Sequence, residues 1–338
     1  MNASAPAPRE PAAAANSVSV VLCAYNGVRF LPEQLDSLLA QTRRPDRIVL
    51  ADDASTDATW ALLQAFAERA GALGVQVETH RNPANLGYLR NFESALQRAG
   101  EGIVFLSDQD DVWHPDKIER FLEQFQRRPS LGLLHSDSRL VDADGADLGE
   151  RMFGILGVSA GELEALHGGR GFEVLVRRNI VTGATMAVRQ ELLRHVFPIP
   201  ANWVHDEWIA LLASAIGEID SLESPSIDYR QHGANQIGAR RRTLAERLGG
   251  SRERLQQMQG LVGKFETLCA FIERHDPPIP ADKRAVIVER LNHLRLRLAM
   301  PGNPLRRLPL VLEEWRHGRY RRFASGTRSL VCDVLGLR

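Results

Sequence analysis

The sequence predicts an α/β domain built on a mostly parallel sheet, followed by a C-terminal helical segment. Short β-branched runs, such as residues 18–22 and 48–51, alternate with stretches whose apolar residues recur at helical spacing. The connections between these runs are short, which favours strand–helix–strand units and a parallel sheet. From about position 255 the strand signals stop, and stripes of helical period take over.

The predicted strands and helices follow one another in a regular order. The turn Tyr25-Asn26-Gly27 ends the first strand, and Pro32 stands near the start of the first helix, where proline is tolerated. Thr56 or Asp57 can cap the second helix. The predicted strands are residues 18–22, 48–51, 75–77, 103–106, 131–135, 181–188 and 227–230. The predicted helices cover residues 31–39, 57–66, 88–99, 115–127, 208–216, 255–272 and 287–298.

The charge of the chain is balanced overall but not along its length. The 338 residues hold 42 Lys and Arg against 42 Asp and Glu, which argues against a uniformly basic nucleic-acid binder. Residues 1–235 hold 21 basic and 32 acidic residues, a net charge of −11, whereas residues 236–338 hold 21 and 10, a net charge of +11. We therefore predict a disordered tail (1–16), a main domain (17–238) and a basic helical region (239–338). The basic region suits a peripheral membrane contact, an ordinary solvated face or a homodimer contact.

Cysteine usage and hydropathy indicate a cytoplasmic protein. Cys23, Cys269 and Cys332 lie far apart and form no CxxC pair, which argues against a disulfide framework and a structural zinc site. No run reaches the ~20 apolar residues that span a bilayer. We expect any membrane association to be peripheral, on the inner face of the plasma membrane.

Acidic residues follow two of the predicted parallel strands. Asp52 and Asp53 end the second strand, and residues 108–111 read Asp-Gln-Asp-Asp after the fourth. Ligands of open α/β sheets bind at the carboxyl ends of the strands, so these carboxylates are expected to gather at one edge. Asp108 and Asp110 can share a hard cation that also holds a diphosphate. The alternative is a helix-capping Asp cluster before Pro115.

Seven short motifs together resemble family 2 glycosyltransferases. The nucleotide-binding half is matched by residues 21–27, 51–57, 85–88 and 105–113, and the acceptor half by residues 182–185, 205–208 and 229–235. The form Ser-Asp-Gln-Asp-Asp-Val-Trp at 107–113 is similar to a bacterial branch that includes rhamnosyltransferases of surface-polysaccharide assembly. The resemblance covers residues 18–238 and implies the GT-A (nucleotide-diphospho-sugar transferase) fold.

The resemblance implies roles for particular residues. It implies Mg²⁺ or Mn²⁺ as cofactor, with Asp110, Asp108 and His232 as metal ligands. A neutral imidazole suits Mn²⁺ better than Mg²⁺. The implied contacts to the nucleotide sugar are Ala24, Tyr25, Asn26, Asp52, Asp53, Asn85, Gly87, Asp108 and Arg230.

The implied catalytic base stands at the start of a helix. The family position falls on Asp206, with Glu207 as the rival, because relatives often read Glu-Asp where this chain reads His-Asp-Glu-Trp. The base would take a proton from the acceptor hydroxyl as that oxygen attacks the sugar. Capping of the helix is the structural alternative for both carboxylates.

The function expected from the sequence is inverting, metal-dependent sugar transfer. The donor would be a nucleotide-diphosphate sugar, with rhamnose as the suggested sugar. The acceptor would be a saccharide or a lipid-linked saccharide of cell-surface polysaccharide synthesis. One alternative is a Mg²⁺-dependent phosphotransferase or hydrolase, for which Lys117 is the Lys near an acidic strand end. The other is a non-catalytic module that binds nucleotide sugars.

Overall fold

The computed structural model describes residues 16–233 and 251–336. The predicted tail (1–16) and the predicted boundary at residue 238 therefore fall almost wholly outside the described residues. The strands are β1 Val18–Ala24, β2 Arg47–Asp52, β3 Gln76–Arg81, β4 Ile103–Ser107, β5 Val112–Trp113, β6 Leu131–Ser136, β7 Arg139–Val141, β8 Asp147–Arg151, β9 Ala187–Arg189, β10 Glu218–Leu222 and β11 Ile227–Arg230.

Helices separate most of these strands and continue to the C-terminus. They are α1 Leu31–Leu39, α2 Thr59–Ala72, α3 Tyr88–Leu96, α4 Lys117–Arg127, α5 Met152–Leu156, α6 Ala160–His167, α7 Gly171–Leu175, α8 Gln190–Leu193, α9 His205–Ile216, α10 Ser251–His275, α11 Ala281–Ala299, α12 Pro304–Arg316, α13 Arg319–Phe323 and α14 Thr327–Leu335. None of the described helices is both long enough and apolar enough to cross a bilayer.

The main sheet confirms the predicted α/β class. Its seven strands have the order β10-β6-β9-β4-β1-β2-β3. Neighbours pair in parallel except for β9, which runs antiparallel to β4 and β6. A smaller sheet of order β5-β11-β7-β8 lies beside it. The sequence predicted β11 but not the short strands β5, β7 and β8, whose few residues carry little periodic signal.

The register of the central strands brings three polar turns to one edge. Ala24 at the end of β1 pairs with Asp52 at the end of β2, and Leu22 pairs with Ser107 at the end of β4. Because all three strands are parallel, the turns that follow them leave the sheet on the same side. The predicted gathering of the strand-end residues is therefore confirmed.

The long strand predicted at residues 181–188 is wrong in extent. A 3-10 turn, Gly183–Thr185, precedes a strand of only three residues, β9. Gly183 in this turn packs against the side chains of His205 and Asp206. A Cβ added at Gly183 would lie 2.9 Å from His205 Nε2. The polar run Thr-Gly-Ala-Thr thus forms a turn beside α9 instead of a strand.

The C-terminal helices confirm the predicted helical segment and pack directly on the α/β core. Phe265, Leu268 and Phe271 of α10 belong to the same buried cluster as the core of the sheet domain. The Trp203 indole donates to the Lys264 carbonyl at 3.2 Å, and Phe271 lies edge-on to Trp208 at 4.8 Å. Helices α12–α14 enclose a smaller cluster of their own around Met300, Val311 and Tyr320.

Candidate active site

The turn after β1 forms hydrogen bonds with the turns after β2 and β4. Asn26, at a left-handed φ of 48°, accepts from the Thr56 backbone through its side-chain oxygen at 2.9 Å. Gln109 pairs with the backbone of Tyr25, accepting from its N–H at 2.8 Å and donating to its carbonyl at 3.1 Å. A Cβ on Gly27 would meet Gln109 Oε1 at 2.3 Å, so a larger residue there would displace the Gln109 side chain from its contacts with Tyr25. Ala24 is buried beneath the turn, and the Tyr25 ring remains exposed above it.

Asp53 holds the loop that precedes α3. Its carboxylate accepts from the backbone of Leu86 at 2.8 Å, from the Asn82 side chain at 2.8 Å and from the backbone of Gly87 at 2.9 Å. Gly87 has φ 80° and ψ 156°, a conformation open only to glycine, and Asn85 accepts from its N–H at 3.2 Å. Asp53 is 2% exposed, so its carboxylate shapes this loop from within. Asn85 and Gly87 lie at the surface of the same loop.

Asp52 is fully buried and ion-paired. Its Oδ2 lies 3.0 Å from Nε of Arg81 and accepts from the Ser55 N–H at 3.2 Å. Its Oδ1 has no hydrogen-bond partner among the described residues. Of these two predicted contacts to the nucleotide sugar, Asp52 thus keeps a carboxylate oxygen that accepts no hydrogen bond, whereas both oxygens of Asp53 are engaged.

The turn after β4 concentrates negative charge. Asp110 Oδ2 lies 2.9 Å from Nε2 of His232, whose ring stacks on Phe30 at 4.5 Å. Burial, together with the charges of Asp110 and Asp206, raises the pKa of Asp108 to about 7, although Lys117 opposes the shift. A bound cation would favour the ionised form of these groups.

Asp111 and Lys117 lie below this turn. Burial and the charges of Asp110 and Asp108 raise the pKa of Asp111 well above its usual range. Its Oδ1 accepts from the Arg230 N–H at 3.1 Å, while Oδ2 has no partner within the described chain. Lys117 is fully buried, with Nζ 3.6 Å from the centre of the Trp113 ring, and donates to the Ala184 carbonyl at 2.8 Å. The Lys117 ammonium group is therefore not accessible to a ligand, whereas the phosphotransferase alternative requires a lysine that contacts the substrate.

Arg230 braces the acidic turn from behind. It is 3% exposed, and its guanidinium donates to the carbonyls of Asp110 and Ala143 at 3.0 Å each and pairs with Glu33. The guanidinium of this predicted nucleotide-sugar contact is thus engaged by protein acceptors. Its observed contacts fix the backbone of the turn.

The neighbouring carboxylates Asp206 and Glu207 have different surroundings. Asp206 accepts from the N–H groups of Gly183 at 3.0 Å and Glu207 at 2.6 Å, and burial nevertheless raises its pKa to about 6. Glu207 forms an ion pair with Lys264 of α10. The charge of Asp206 acts on Asp108, which places Asp206 on the side of the acidic turn. Lys264 lies in the C-terminal region, where sequence reasoning assigned no role to it.

Aromatic rings surround His205, the residue that precedes Asp206. Burial raises the pKa of Tyr88, and the charges of Asp206 and Glu207 add to the shift. Tyr88 lies in the motif 85–88, but the sequence assigned no role to it. The His205 ring stacks on Phe92 at 4.2 Å, and burial lowers its pKa to about 4. Tyr88 directly follows Gly87, and that position is the signal that could have singled it out.

Tyr229 connects the two acidic groups. Burial raises its pKa far above its usual range, and the charges of Asp111, Asp108, Asp110 and Asp206 add to the shift. A single side chain is therefore within electrostatic reach of both the turn after β4 and the start of α9.

The donor set at this edge fits a divalent cation only in part. Among the described residues, no group of three or more His, Cys, Asp and Glu side chains is arranged to hold a metal alone. Asp110 and His232 approach each other closely, with Asp108 beside them, and Mg²⁺ or Mn²⁺ is often held by one or two side chains plus substrate phosphates and water. The residues therefore suit a cation that arrives with a diphosphate.

Comparisons with known proteins identify the fold and the family of the chain. A Nostoc sp. protein named an uncharacterized glycosyltransferase is 29% identical over 271 residues, covering 77% of this chain and 78% of its own. The S. aureus TarS fragment 1–349, crystallised with UDP-GlcNAc, matches with a TM-score of 0.55 at 17% identity, covering 83% of this chain and 72% of that one.

A second solved structure shares the fold. The mannosyltransferase PcManGT from Pyrobaculum calidifontis, solved with GDP-Man and Mn²⁺, has a TM-score of 0.50 at 18% identity, covering 88% of this chain and 75% of that one. The model of glycosyl transferase family 2 matches residues 19–197, more than half of the chain. With its GT-A-like sheet and the acidic turns at one edge, the chain belongs to glycosyl transferase family 2.

Proposed function

We propose that this chain is an inverting, metal-dependent hexosyltransferase that uses a nucleotide-diphosphate sugar. The observation that carries the proposal is that two acidic groups adjoin the same turn, residues 183–185. Asp206 accepts from the Gly183 N–H at 3.0 Å, and Lys117, beneath the acidic turn 108–111, donates to the Ala184 carbonyl at 2.8 Å. One group suits a diphosphate with its cation, and the other suits a proton acceptor. The ligands bound to the fold neighbours, UDP-GlcNAc in TarS and GDP-Man with Mn²⁺ in PcManGT, support the nucleotide-sugar donor in this proposal.

Asp206 is the proposed base. As the acceptor oxygen bonds to the anomeric carbon, the bond from that carbon to the diphosphate breaks, and the hydroxyl proton passes to Asp206. Asp110, Asp108 and His232 would hold the cation, which when bound neutralises charge that develops on the diphosphate. One displacement of this kind inverts the anomeric centre and needs no second carboxylate nucleophile.

Glu207 serves as the matched control for this assignment. We expect Asp206→Asn to lower kcat by about 10²- to 10⁴-fold while donor binding, measured by calorimetry, persists. Glu207→Gln should cost much less, because Glu207 is engaged by Lys264. Equal losses in both variants, or normal turnover of Asp206→Asn, would contradict the choice of Asp206.

The pH dependence tests the same residue. Asp206 acts as a base only when ionised, and burial raises its pKa to about 6. We therefore expect kcat/KM to fall about tenfold per pH unit below pH about 6 and to level off above it. A flat profile between pH 5 and 7 would exclude this carboxylate as the base.

The donor sugar is proposed to be rhamnose, from dTDP-rhamnose, on the resemblance of the turn 107–113. A screen of dTDP-rhamnose, UDP-GlcNAc and GDP-mannose with Mn²⁺ or Mg²⁺ tests this by release of the nucleoside diphosphate. The acceptors to pair with each donor are saccharides and lipid-linked saccharides of surface-polysaccharide type. Release from none of the donors would overturn the proposed activity, and release from another donor would correct the sugar.

A peripheral membrane contact through the basic region belongs to the same proposal. Leu305, Leu308, Leu312 and Trp315 recur on one face of α12 and are all exposed, Leu305 by 80% and Trp315 by 59%. Arg306 and Arg316 are exposed on the same helix and form no ion pair within the described part of the chain. In a two-fold dimer this basic patch would meet its own copy, whereas anionic headgroups would neutralise it.

Vesicle flotation separates these partners. We expect the full chain to float with phosphatidylglycerol-containing vesicles but not with phosphatidylcholine alone, and Trp315→Ser to weaken flotation. Leu148→Ser, on the exposed strand β8, is the matched control that should leave it unchanged. If the chain floats with neither kind of vesicle, its oligomeric state decides. A dimer in sedimentation that becomes a monomer after Trp315→Ser would show that the exposed apolar face of α12 binds a second copy of the chain.

A further inference from the structure

Helix α10 of the C-terminal region holds the loop that leads into α9. The Asn202 side chain donates to the Thr267 hydroxyl at 3.0 Å. The Trp203 indole donates to the Lys264 carbonyl at 3.2 Å, and the Lys264 ammonium lies 5.2 Å from the centre of the same indole ring. Two successive residues of the loop before α9 are therefore attached to α10.

The ammonium group of Lys264 also contacts the first turn of α9. It forms an ion pair with Glu207, the residue that directly follows the proposed base Asp206. The side chains of this pair are 23% and 21% exposed, so water and salt screen their attraction only in part. The loop and the first turn of α9 are thus both fixed against α10, one on each side of Asp206.

The charge of Lys264 acts on Asp206 as well. Burial raises the pKa of Asp206 to about 6, and the N–H groups of Glu207 and Gly183 and the Lys264 ammonium oppose that shift. A nearby positive charge favours the ionised form of a carboxyl group. Lys264 therefore stabilises the form of Asp206 that can accept a proton.

Other ionisable groups near Asp206 supply no positive charge at neutral pH. Tyr88 of α3 and Tyr229 of β11 are neutral phenols, because burial and the charge of Asp206 raise their pKa values. His205 is neutral because burial lowers its pKa to about 4. Asp108, in the turn after β4, can add only negative charge. None of these groups can replace a cation on α10.

We propose that Lys264 is a positioning residue of the transfer reaction, which fixes the first turn of α9 and stabilises the ionised base from the C-terminal region. The assignment rests on the proposed function, since Asp206 must act as the base. It gives helix α10 a part in the chemistry that is separate from any membrane contact of α12.

The pH profile of kcat/KM for the acceptor tests this role in the full chain. The assay uses the donor and acceptor that the screen identifies, with saturating Mn²⁺. Lys264→Met removes the cation and leaves Glu207 unpaired, so the acid limb of the profile should move to higher pH by about 0.5–1 unit. At pH 6 this lowers kcat/KM about two- to fivefold, whereas the plateau at pH 8 should change less.

The other partner of the ion pair should have the opposite effect. Glu207→Gln removes a negative charge beside Asp206, so its acid limb should move to lower pH. Lost packing alone would lower kcat/KM at every pH in both variants. Lys264→Arg keeps the charge and should give the wild-type profile.

Lys283→Met is the matched control, because Lys283 of α11 also contacts α9 but near its far end. Its ammonium donates to the Ser214 carbonyl at 2.8 Å. Loss of this contact should lower Tm without moving the acid limb. If Lys264→Met fails to fold, Lys264→Gln, which keeps hydrogen-bond donors but no charge, takes its place. An unshifted acid limb in the folded Lys264 variant, or the same shift in Lys283→Met, would overturn the proposal.

An NMR titration separates this role from the proposed function. The Asp206 carboxyl carbon, assigned by its absence from Asp206→Asn, should titrate at higher pH in ¹³C-Asp-labelled Lys264→Met than in the wild type. This comparison needs no substrate. Absence of transfer with every donor would count against the proposed function, whereas equal titration of Asp206 in both proteins would count against Lys264 alone.

Discussion

Two acidic turns at the same edge of the sheet are built in opposite ways. The turn after β2 surrounds its carboxylates with protein donors: Asp53 accepts three hydrogen bonds and Asp52 pairs with Arg81. In the turn after β4, burial and mutual repulsion raise the pKa values of Asp108 and Asp111. Carboxylates that accept hydrogen bonds from the protein fix the shape of a loop. Carboxylates that repel one another are instead suited to bind an external cation.

The largest effect expected from this difference is in the turn after β4. Asp110→Ala should lower metal-dependent transfer by about 10²- to 10³-fold and weaken nucleotide binding, because a ligand of the cation that stabilises the leaving group is lost. Initial rates across a Mn²⁺ titration measure it.

Asp116→Ala, an exposed carboxylate at the start of α4, is the control and should keep the wild-type metal dependence. If Asp110→Ala kept its activity, the turn after β4 would not hold the cation, and the proposed difference between the two turns would be wrong.

A substitution in the turn after β2 should act on stability instead. Asp53→Asn loses a charged acceptor for Leu86, Gly87 and Asn82, so the free energy of unfolding should fall by about 1–3 kcal/mol. Chemical denaturation measures this loss, and KM for the donor should rise as residues 82–87 loosen.

The Mn²⁺ concentration for half-maximal activity should stay at its wild-type value in Asp53→Asn. Asp144→Asn, whose side chain is 87% exposed, is the stability control. A changed Mn²⁺ requirement in Asp53→Asn would mean that both turns take part in holding the cation.

The smallest expected effect comes from Lys117, which lies under the turn after β4. Its charge opposes the raised pKa values of Asp108 and Asp111. Lys117→Met leaves those carboxylates less compensated, so Mn²⁺ should raise the Tm of the variant by a few °C more than that of the wild type.

Lys117→Arg keeps the charge and should show the wild-type response to Mn²⁺. An identical Tm increase in Lys117→Met would show that the buried cation does not act on the turn.

The fold was largely predictable because its signals are local. The β-branched runs that became β1, β2 and β4 are buried on both faces of the sheet, and such strands read as continuous apolar segments. The 3-10 turn at Gly183 was mistaken for strand, because its conformation depends on its contact with His205 and Asp206 from another part of the chain. No local pattern encodes that contact.

The site was predictable in its residue types but not in their partners. The motif around Asp206 and Glu207 left the base open by one position. The ion pair that distinguishes them comes from Lys264, 57 residues further along the chain. Arg230 was likewise predicted to contact the nucleotide sugar, and its contacts with Glu33 and Ala143 come from distant segments.

The sequence by itself determined the family, the alternation of the central strands β1, β2, β3 and β4 with helices, and the presence of acidic turns after buried strands. These depend on residue periodicity and on short motifs, which can be read locally. The tertiary structure alone decided which carboxylates are satisfied by the protein and which repel one another. Burial and Coulomb interactions depend on distances in space, and the chain sets those distances only when it folds.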